Sequence, residues 1–133
     1  MREIKFRGMH INGGWLYGLL SISQGIGSQP PKGSYISNRV GMPWAYQVRP
    51  ETVGQLIGLH DRNGKEIYEG DIVSANMHYF EEEDKPIIRA IGWWEPTLQW
   101  AIIHPDGFDR LTDIEAEVIG NIYENPGLLE GTK

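Results

Sequence analysis

Alternating apolar and polar residues predict that this chain is built mainly from β-strands. Residues 52–59 show the alternation most clearly, because apolar side chains share one face and glycines occupy much of the other. The Asn63-Gly64 pair that follows accepts positive φ at both positions, which predicts a type I′ turn. The pattern therefore places a β-hairpin at the centre of the chain, with its second strand at residues 67–68.

A bend is predicted just after this hairpin, at Gly70 and Asp71. Glycine supplies conformational freedom there, and the short Asp71 carboxylate can accept hydrogen bonds from nearby backbone amides. We therefore interpret Asn63, Gly64, Gly70 and Asp71 as structural turn residues rather than catalytic ones.

Further apolar runs predict the remaining strands, including a second hairpin at the N-terminus that turns through Asn12-Gly13-Gly14. The first predicted strand is residues 4–6, with a continuation to residue 11 left open, and the others are residues 15–20, 71–77, 86–94, 98–103 and 117–123. Residues 25–50 are instead rich in glycine and proline, which predicts a long loop with a short strand at residues 34–36.

Three blocks of sequence carry a resemblance to a known family. They are MREIKFR at residues 1–7, GLHDRNGKEIYEGDIV at residues 58–73 and EVIGNIYENP at residues 117–126. In this order and over nearly the whole chain, they resemble the YopX family of phage and prophage proteins. The resemblance implies a mainly β (β-rich α+β) fold with an SH3-like small barrel. It supplies no catalytic motif, so no active-site residue is carried over to this chain.

Length and composition fit one domain over residues 1–133. The sequence pattern divides it into an N-terminal hairpin (1–24) and a Gly/Pro-rich loop (25–50), and the resemblance implies a β-barrel core at residues 51–133. The chain has no cysteine, which excludes thiol catalysis and cysteine zinc sites and fits a reducing compartment. No apolar run approaches the roughly 18 residues that span a bilayer. We expect a cytoplasmic protein of a bacterial host, without membrane contact.

The charge balance limits the choice of partners. Eighteen acidic and twelve basic residues give a formal charge of −6, which disfavours nonspecific binding to nucleic acid. Local basic stretches nevertheless occur near the N-terminus and within the Gly/Pro-rich loop, where tryptophan could add base stacking. The candidate binding residues are Arg2, Lys5, Arg7, Arg39, Trp44 and Arg49.

Candidate catalytic groups are scarce. The four histidines show no metal-ligand spacing, and only His60-Asp61 and His104-Pro105-Asp106 place an imidazole near a carboxylate in sequence. We therefore expect no enzyme activity, metal or cofactor. The favoured interpretation is a noncatalytic phage accessory protein, a binding or scaffold module whose partners are itself, as a homo-oligomer, and a host or phage protein. The alternatives are a nucleic-acid-binding module of the SH3-like barrel type and a small hydrolase.

Overall fold

β-strands dominate the computed structural model, which describes residues 3–37, 45–76, 87–104, 107–110 and 115–130. The strands are β1 (Phe6–Met9), β2 (Trp15–Ser23), β3 (Gly33–Ser37), β4 (Tyr46–Val48), β5 (Gly54–His60), β6 (Glu66–Tyr68), β7 (Asp71–Asn76), β8 (Ile87–Trp94), β9 (Gln99–His104), β10 (Gly107–Arg110) and β11 (Glu115–Asn121). Short 3-10 helices occupy Pro50–Thr52 and Glu95–Thr97, and one α-helix, α1 (Gly127–Glu130), lies in the described part of the chain. The prediction of a mainly β fold is confirmed. The chain divides into two compact units, Met1–Leu56 and Ile57–Lys133.

The first unit contains an antiparallel sheet in the order β4-β3-β2-β1-β5, with β5 continuing beyond the unit. The predicted N-terminal hairpin is present, because β1 pairs with β2 from Phe6↔Gly18 to Met9↔Trp15. The predicted strand at 34–36 lies inside β3. The sequence did not predict β4, which pairs with β3 and reaches the end of β1 through one isolated bridge, His10↔Val48.

The core of the first unit depends on a close approach of strands at Gly8. Ile36 and Val48 are fully buried, and a Cβ atom added to Gly8 would lie 3.0 Å from the Val48 Cβ and 3.1 Å from the Ile36 Cδ1. These distances are tighter than ordinary van der Waals contact. Glycine therefore lets β1 pack against these two side chains without a void or a clash.

The second unit contains an antiparallel sheet in the order β10-β9-β8-β7-β11. The predicted pairing of residues 86–94 with 98–103 is present as β8 and β9, joined in register at Ile91↔Ile102 and Trp93↔Trp100. Strand β6 lies beside β5, as the predicted central hairpin requires. The buried core consists of Ile57, Ile67, Val73, Ile91, Ile102 and Ala116, with Trp100 and Val118 packed against it.

The central turn differs from the prediction. A type I′ turn requires positive φ at both central residues. Gly64 has φ +84°, but Asn63 does not have positive φ, since Leu98 is the one non-glycine residue with positive φ in the described ranges. The Gly64 N–H donates to the Asp61 carbonyl (3.0 Å), and the Asp61 N–H donates to the Lys65 carbonyl (2.8 Å). This is a three-residue loop with a left-handed glycine at its end. The Asp61 side chain favours it by accepting two loop amides, from Asn63 and Lys65.

The strands of the described residues form two antiparallel sheets and no closed barrel. The closed barrel that the family resemblance implied is therefore absent from the described residues, and each sheet ends in edge strands, such as β10. Residue 77 and the predicted strand start at residue 86 lie outside the described residues.

Candidate functional site

Polar side chains are concentrated at the loop that joins β5 and β6, and Asp61 is at its centre. Its side chain is 7% exposed. One carboxylate oxygen, Oδ1, accepts hydrogen bonds from the N–H groups of Asn63 (2.8 Å) and Lys65 (2.9 Å). The other, Oδ2, accepts a hydrogen bond from the N–H of Val118 in β11 (2.9 Å). Both oxygens are therefore bound to the backbone.

The electrostatics of Asp61 agree with this geometry. Burial raises the pKa of its carboxyl group, but the hydrogen bonds from backbone amides lower the pKa, with Val118 contributing most, and the nearby Lys65 charge adds to them. The lowering effects dominate, so the pKa of Asp61 lies below its ordinary value. Asp61 is ionised near neutral pH and is a weak base.

The same loop covers the outer edge of β11, whose other edge pairs with β7. The Arg62 N–H donates to the Ala116 carbonyl (2.9 Å), and the Arg62 guanidinium forms an ion pair with Glu117 (2.5 Å). The side-chain Nδ2 of Asn63 donates to the other Glu117 carboxylate oxygen (3.2 Å). We call these contacts of residues 61–63 with residues 116–118 the β11 clamp. It occupies backbone groups of an edge strand that would otherwise be open to pairing with another chain.

Gly70 and Asp71 form a second structural turn. The Asp71 side chain is 1% exposed, and its Oδ2 accepts the Tyr68 N–H (2.8 Å). Gly70 has φ +90°. Its N–H donates to the Ile91 carbonyl (3.0 Å), and its carbonyl accepts the Ile122 N–H (2.9 Å). These residues fix the start of β7 against neighbouring backbone.

Sequence reasoning missed Asn121, which organises the chain after β11. Its side-chain oxygen accepts the N–H groups of Tyr123 (3.0 Å) and Glu124 (2.9 Å). The side-chain oxygen of Asn125 in turn accepts the Asn121 N–H (3.2 Å). A Cβ atom on Gly120 would lie 2.5 Å from that Asn125 oxygen, so only glycine fits there without a shift. Two asparagines four residues apart beside a proline were the available signal for such a turn.

Of the two histidine and carboxylate pairs named from the sequence, the described pair, His60-Asp61, does not form an assembled catalytic site. His60 is exposed, while Asp61 directs both its oxygens at backbone amides. His10 accepts the Asn12 N–H through its Nδ1 atom (3.0 Å). The remaining histidine pair falls on residues 104–106, where the structure describes only the backbone of His104. In the described part of the chain, no group of three or more histidine and carboxylate side chains could hold a metal ion.

Three of the basic candidates, Lys5, Arg7 and Arg49, lie among the described residues, and these three do not form one exposed patch. Arg7 is 6% exposed, and its guanidinium carbon lies 4.7 Å from the centre of the Trp15 ring. Arg49 donates to the Ile11 carbonyl (3.2 Å). Lys5 is half-buried, and its carbonyl accepts the Leu56 N–H. The other three candidates lie outside the described residues; they are Arg2, Arg39 and Trp44.

The fold and these contacts define a small β protein in which the polar residues of the central and C-terminal motifs hold backbone in place. The chain belongs to the YopX family, because the family model described as YopX protein matches residues 5–130. Among solved structures it is similar to protein EF1440 from Enterococcus faecalis, with 21% identity over 97% of this chain and 99% of that one. The TM-score of 0.56 shows a shared fold. A search of curated proteins found no match. Within the described ranges, no helix has the length and apolar character needed to cross a membrane.

Proposed function

We propose that this YopX protein is a noncatalytic binding module, a phage or prophage accessory protein that works as a homo-oligomer in the cytoplasm of its bacterial host and engages a host or phage protein. One observation carries the proposal: β2 presents Tyr17 and Leu19, which are 45% and 38% exposed, on one face of the sheet. Exposed aromatic and aliphatic side chains placed side by side are typical of interaction surfaces.

The geometry of β2 supports this surface. Trp15, Tyr17 and Leu19 alternate along the strand and therefore point to the same face. Register places Arg7 directly opposite Tyr17, and the Arg7 guanidinium lies against the Trp15 ring. This contact orders the Trp15 ring beside the exposed side chains, and an ordered aromatic residue loses little entropy when it binds. We call Trp15, Tyr17 and Leu19 the β2 face.

A second copy of the chain is the partner that this surface fits best. Tyr17 and Leu19 are two residues apart on one strand, so a two-fold axis between two antiparallel copies of β2 would place each tyrosine on the leucine of the other copy. On the central strands of the second unit, Ile91, Ala101 and Ile102 are buried, and the exposed Trp93 (44%) packs edge-on against Trp100.

The noncatalytic part of the proposal rests on how the carboxylates are used. Asp61 accepts three backbone amides, and Asp71 accepts the Tyr68 amide. The pKa of Asp61 is lowered, which disfavours proton abstraction by its carboxylate. The nucleic-acid alternative is weakened by the burial of Arg7, since a phosphate contact needs an accessible guanidinium.

Light scattering during size exclusion tests the proposal. We expect the nuclease-treated wild-type protein to be an oligomer and the Tyr17→Ser/Leu19→Ser double variant to have a lower mass. Ile22→Ser is the matched control, because Ile22 is 60% exposed on the same strand but points to the opposite face. Circular dichroism checks that all three proteins remain folded.

A monomeric wild-type protein, or a control that loses mass as the double variant does, would contradict the proposal. Nucleic acid that copurifies with the untreated protein and is removed by nuclease would favour the nucleic-acid alternative instead. Turnover of a substrate by the wild-type protein that is lost in His60→Ala would favour the small hydrolase.

A further inference from the structure

The tip of the β5–β6 loop presents an asparagine followed by glycine to solvent. Asn63 and Gly64 are both exposed, and no heavy atom outside residues 63–65 lies within 4 Å of the position that a Gly64 Cβ would take. Without a side chain on the following residue, the backbone nitrogen of that residue can approach the asparagine side-chain carbon with little steric hindrance. The pair therefore has the chemical requirements for an intramolecular reaction.

We propose that Asn63 is a site of spontaneous deamidation and that the β11 clamp controls its rate. The Gly64 backbone nitrogen loses its proton and attacks the Asn63 side-chain Cγ, so that a new C–N bond forms. The Asn63 Nδ2 then leaves as ammonia, which produces a cyclic succinimide. Water opens either carbonyl of this ring and yields aspartate or isoaspartate at position 63. Water is the only co-reactant, and no atom is oxidised or reduced.

Three hydrogen bonds restrain the reacting groups in the folded loop. The Gly64 N–H donates to the Asp61 carbonyl (3.0 Å), which holds the attacking nitrogen. The Asn63 N–H donates to the Asp61 carboxylate (2.8 Å), and the Asn63 Nδ2 donates to Glu117 (3.2 Å). Attack on Cγ requires the loop to leave this arrangement, so the rate follows how often the loop opens. Asp61 and Glu117 therefore act as positioning residues that slow the reaction.

The reaction would release the clamp that slows it. Conversion of the Asn63 amide to a carboxylate removes the donor to Glu117 and places a negative charge beside two others, on Glu117 and Asp61. The isoaspartate product also adds a methylene to the backbone between positions 63 and 64. Both changes destabilise the loop, whose Asp61 carboxylate accepts the Val118 N–H. The outer edge of β11 then becomes accessible.

The chain contains an internal control for the test. Asn12-Gly13 is a second exposed asparagine and glycine pair, and the Gly13 N–H donates to the His10 carbonyl (2.8 Å) rather than to a group of the clamp. Purified wild-type protein and the Asp61→Asn variant are incubated at mildly alkaline pH, and peptide mass spectrometry follows conversion at both asparagines. Glu117→Gln is a second variant that loosens the clamp from an exposed position.

We expect conversion at Asn63 in the wild-type protein, a severalfold faster conversion there in Asp61→Asn, a smaller acceleration in Glu117→Gln and an unchanged rate at Asn12. Equal Asn63 rates in all three proteins would overturn the proposal. An equal acceleration at Asn12 and Asn63 would overturn it as well, because it would indicate general unfolding. The Asn63→Asp variant should also show faster hydrogen exchange at the Val118 amide than the wild-type protein, and an unchanged exchange rate would refute the release of the clamp.

Discussion

Replacing Asp61 with alanine should destabilise the second unit by about 3 kcal/mol, because three backbone amides lose a charged acceptor. The Val118 amide contributes most, since an unpaired donor in a part-buried strand costs about 1–3 kcal/mol. Asn63 and Lys65 are exposed, so water can replace the carboxylate there, at a cost of about 0.5–1 kcal/mol each. Asp61→Asn should destabilise the unit by about half as much as Asp61→Ala, because the side-chain amide keeps one oxygen as an acceptor.

Chemical denaturation measures the free energy of unfolding, and hydrogen exchange followed by nuclear magnetic resonance localises the change. The Val118 amide should be protected in the wild-type protein and exchange much faster in both Asp61 variants. Glu51→Gln is a matched control, because Glu51 is an exposed carboxylate in the first unit. This substitution should change the free energy of unfolding by less than about 0.5 kcal/mol.

The stabilisation by Asp61 should be lost at acidic pH. The folded pKa of Asp61 lies below the ordinary value, so its contribution to stability is present above the unfolded pKa of about 3.9 and is lost as pH falls through the folded pKa. The stability difference between wild type and Asp61→Asn should therefore be constant near neutral pH and shrink below about pH 4. A difference that does not change with pH, or an Asp61→Ala variant as stable as the wild type, would show that the Asp61 carboxylate does not stabilise the loop.

Three further substitutions test the remaining contacts by the same denaturation assay. Gly8→Val should destabilise the first unit by about 1–3 kcal/mol, because its new atoms would overlap Val48, whereas no change would contradict the close packing. Asp71→Ala should cost about 2–4 kcal/mol, because it leaves the buried Tyr68 N–H without its acceptor, and a neutral effect would show that the turn tolerates its loss. Glu117→Gln should change stability by less than about 1 kcal/mol, since its ion pair is exposed, and a larger loss would mean that the pair is stronger than its exposure implies.

Local sequence signals predicted the hairpins because alternation and glycine turns act over a few residues. Strands β1 and β2, and β8 and β9, formed where the pattern placed them. Strand β4 was missed because its three residues lie within the Gly/Pro-rich stretch and are fixed by pairing with β3, which is a contact made only in the folded chain.

The turn at Asn63 shows a different limit. The asparagine and glycine pair predicted the loop correctly as a hairpin connection, but the Asp61 side chain accepts the amides of Asn63 and Lys65 and selects another backbone conformation. Similarly, the basic pattern near the N-terminus identified Arg7 as a binding candidate, although β-strand packing buries it against Trp15. In both cases a contact with a residue outside the local motif decided the outcome.

Self-association through the β2 face is the central functional claim, and the molar mass of the Tyr17→Ser/Leu19→Ser variant in solution tests it most directly. We expect an oligomeric wild-type protein, a monomeric double variant and an oligomeric Ile22→Ser control. A wild-type protein that stays monomeric at every concentration, or a double variant that keeps the wild-type mass, would contradict it.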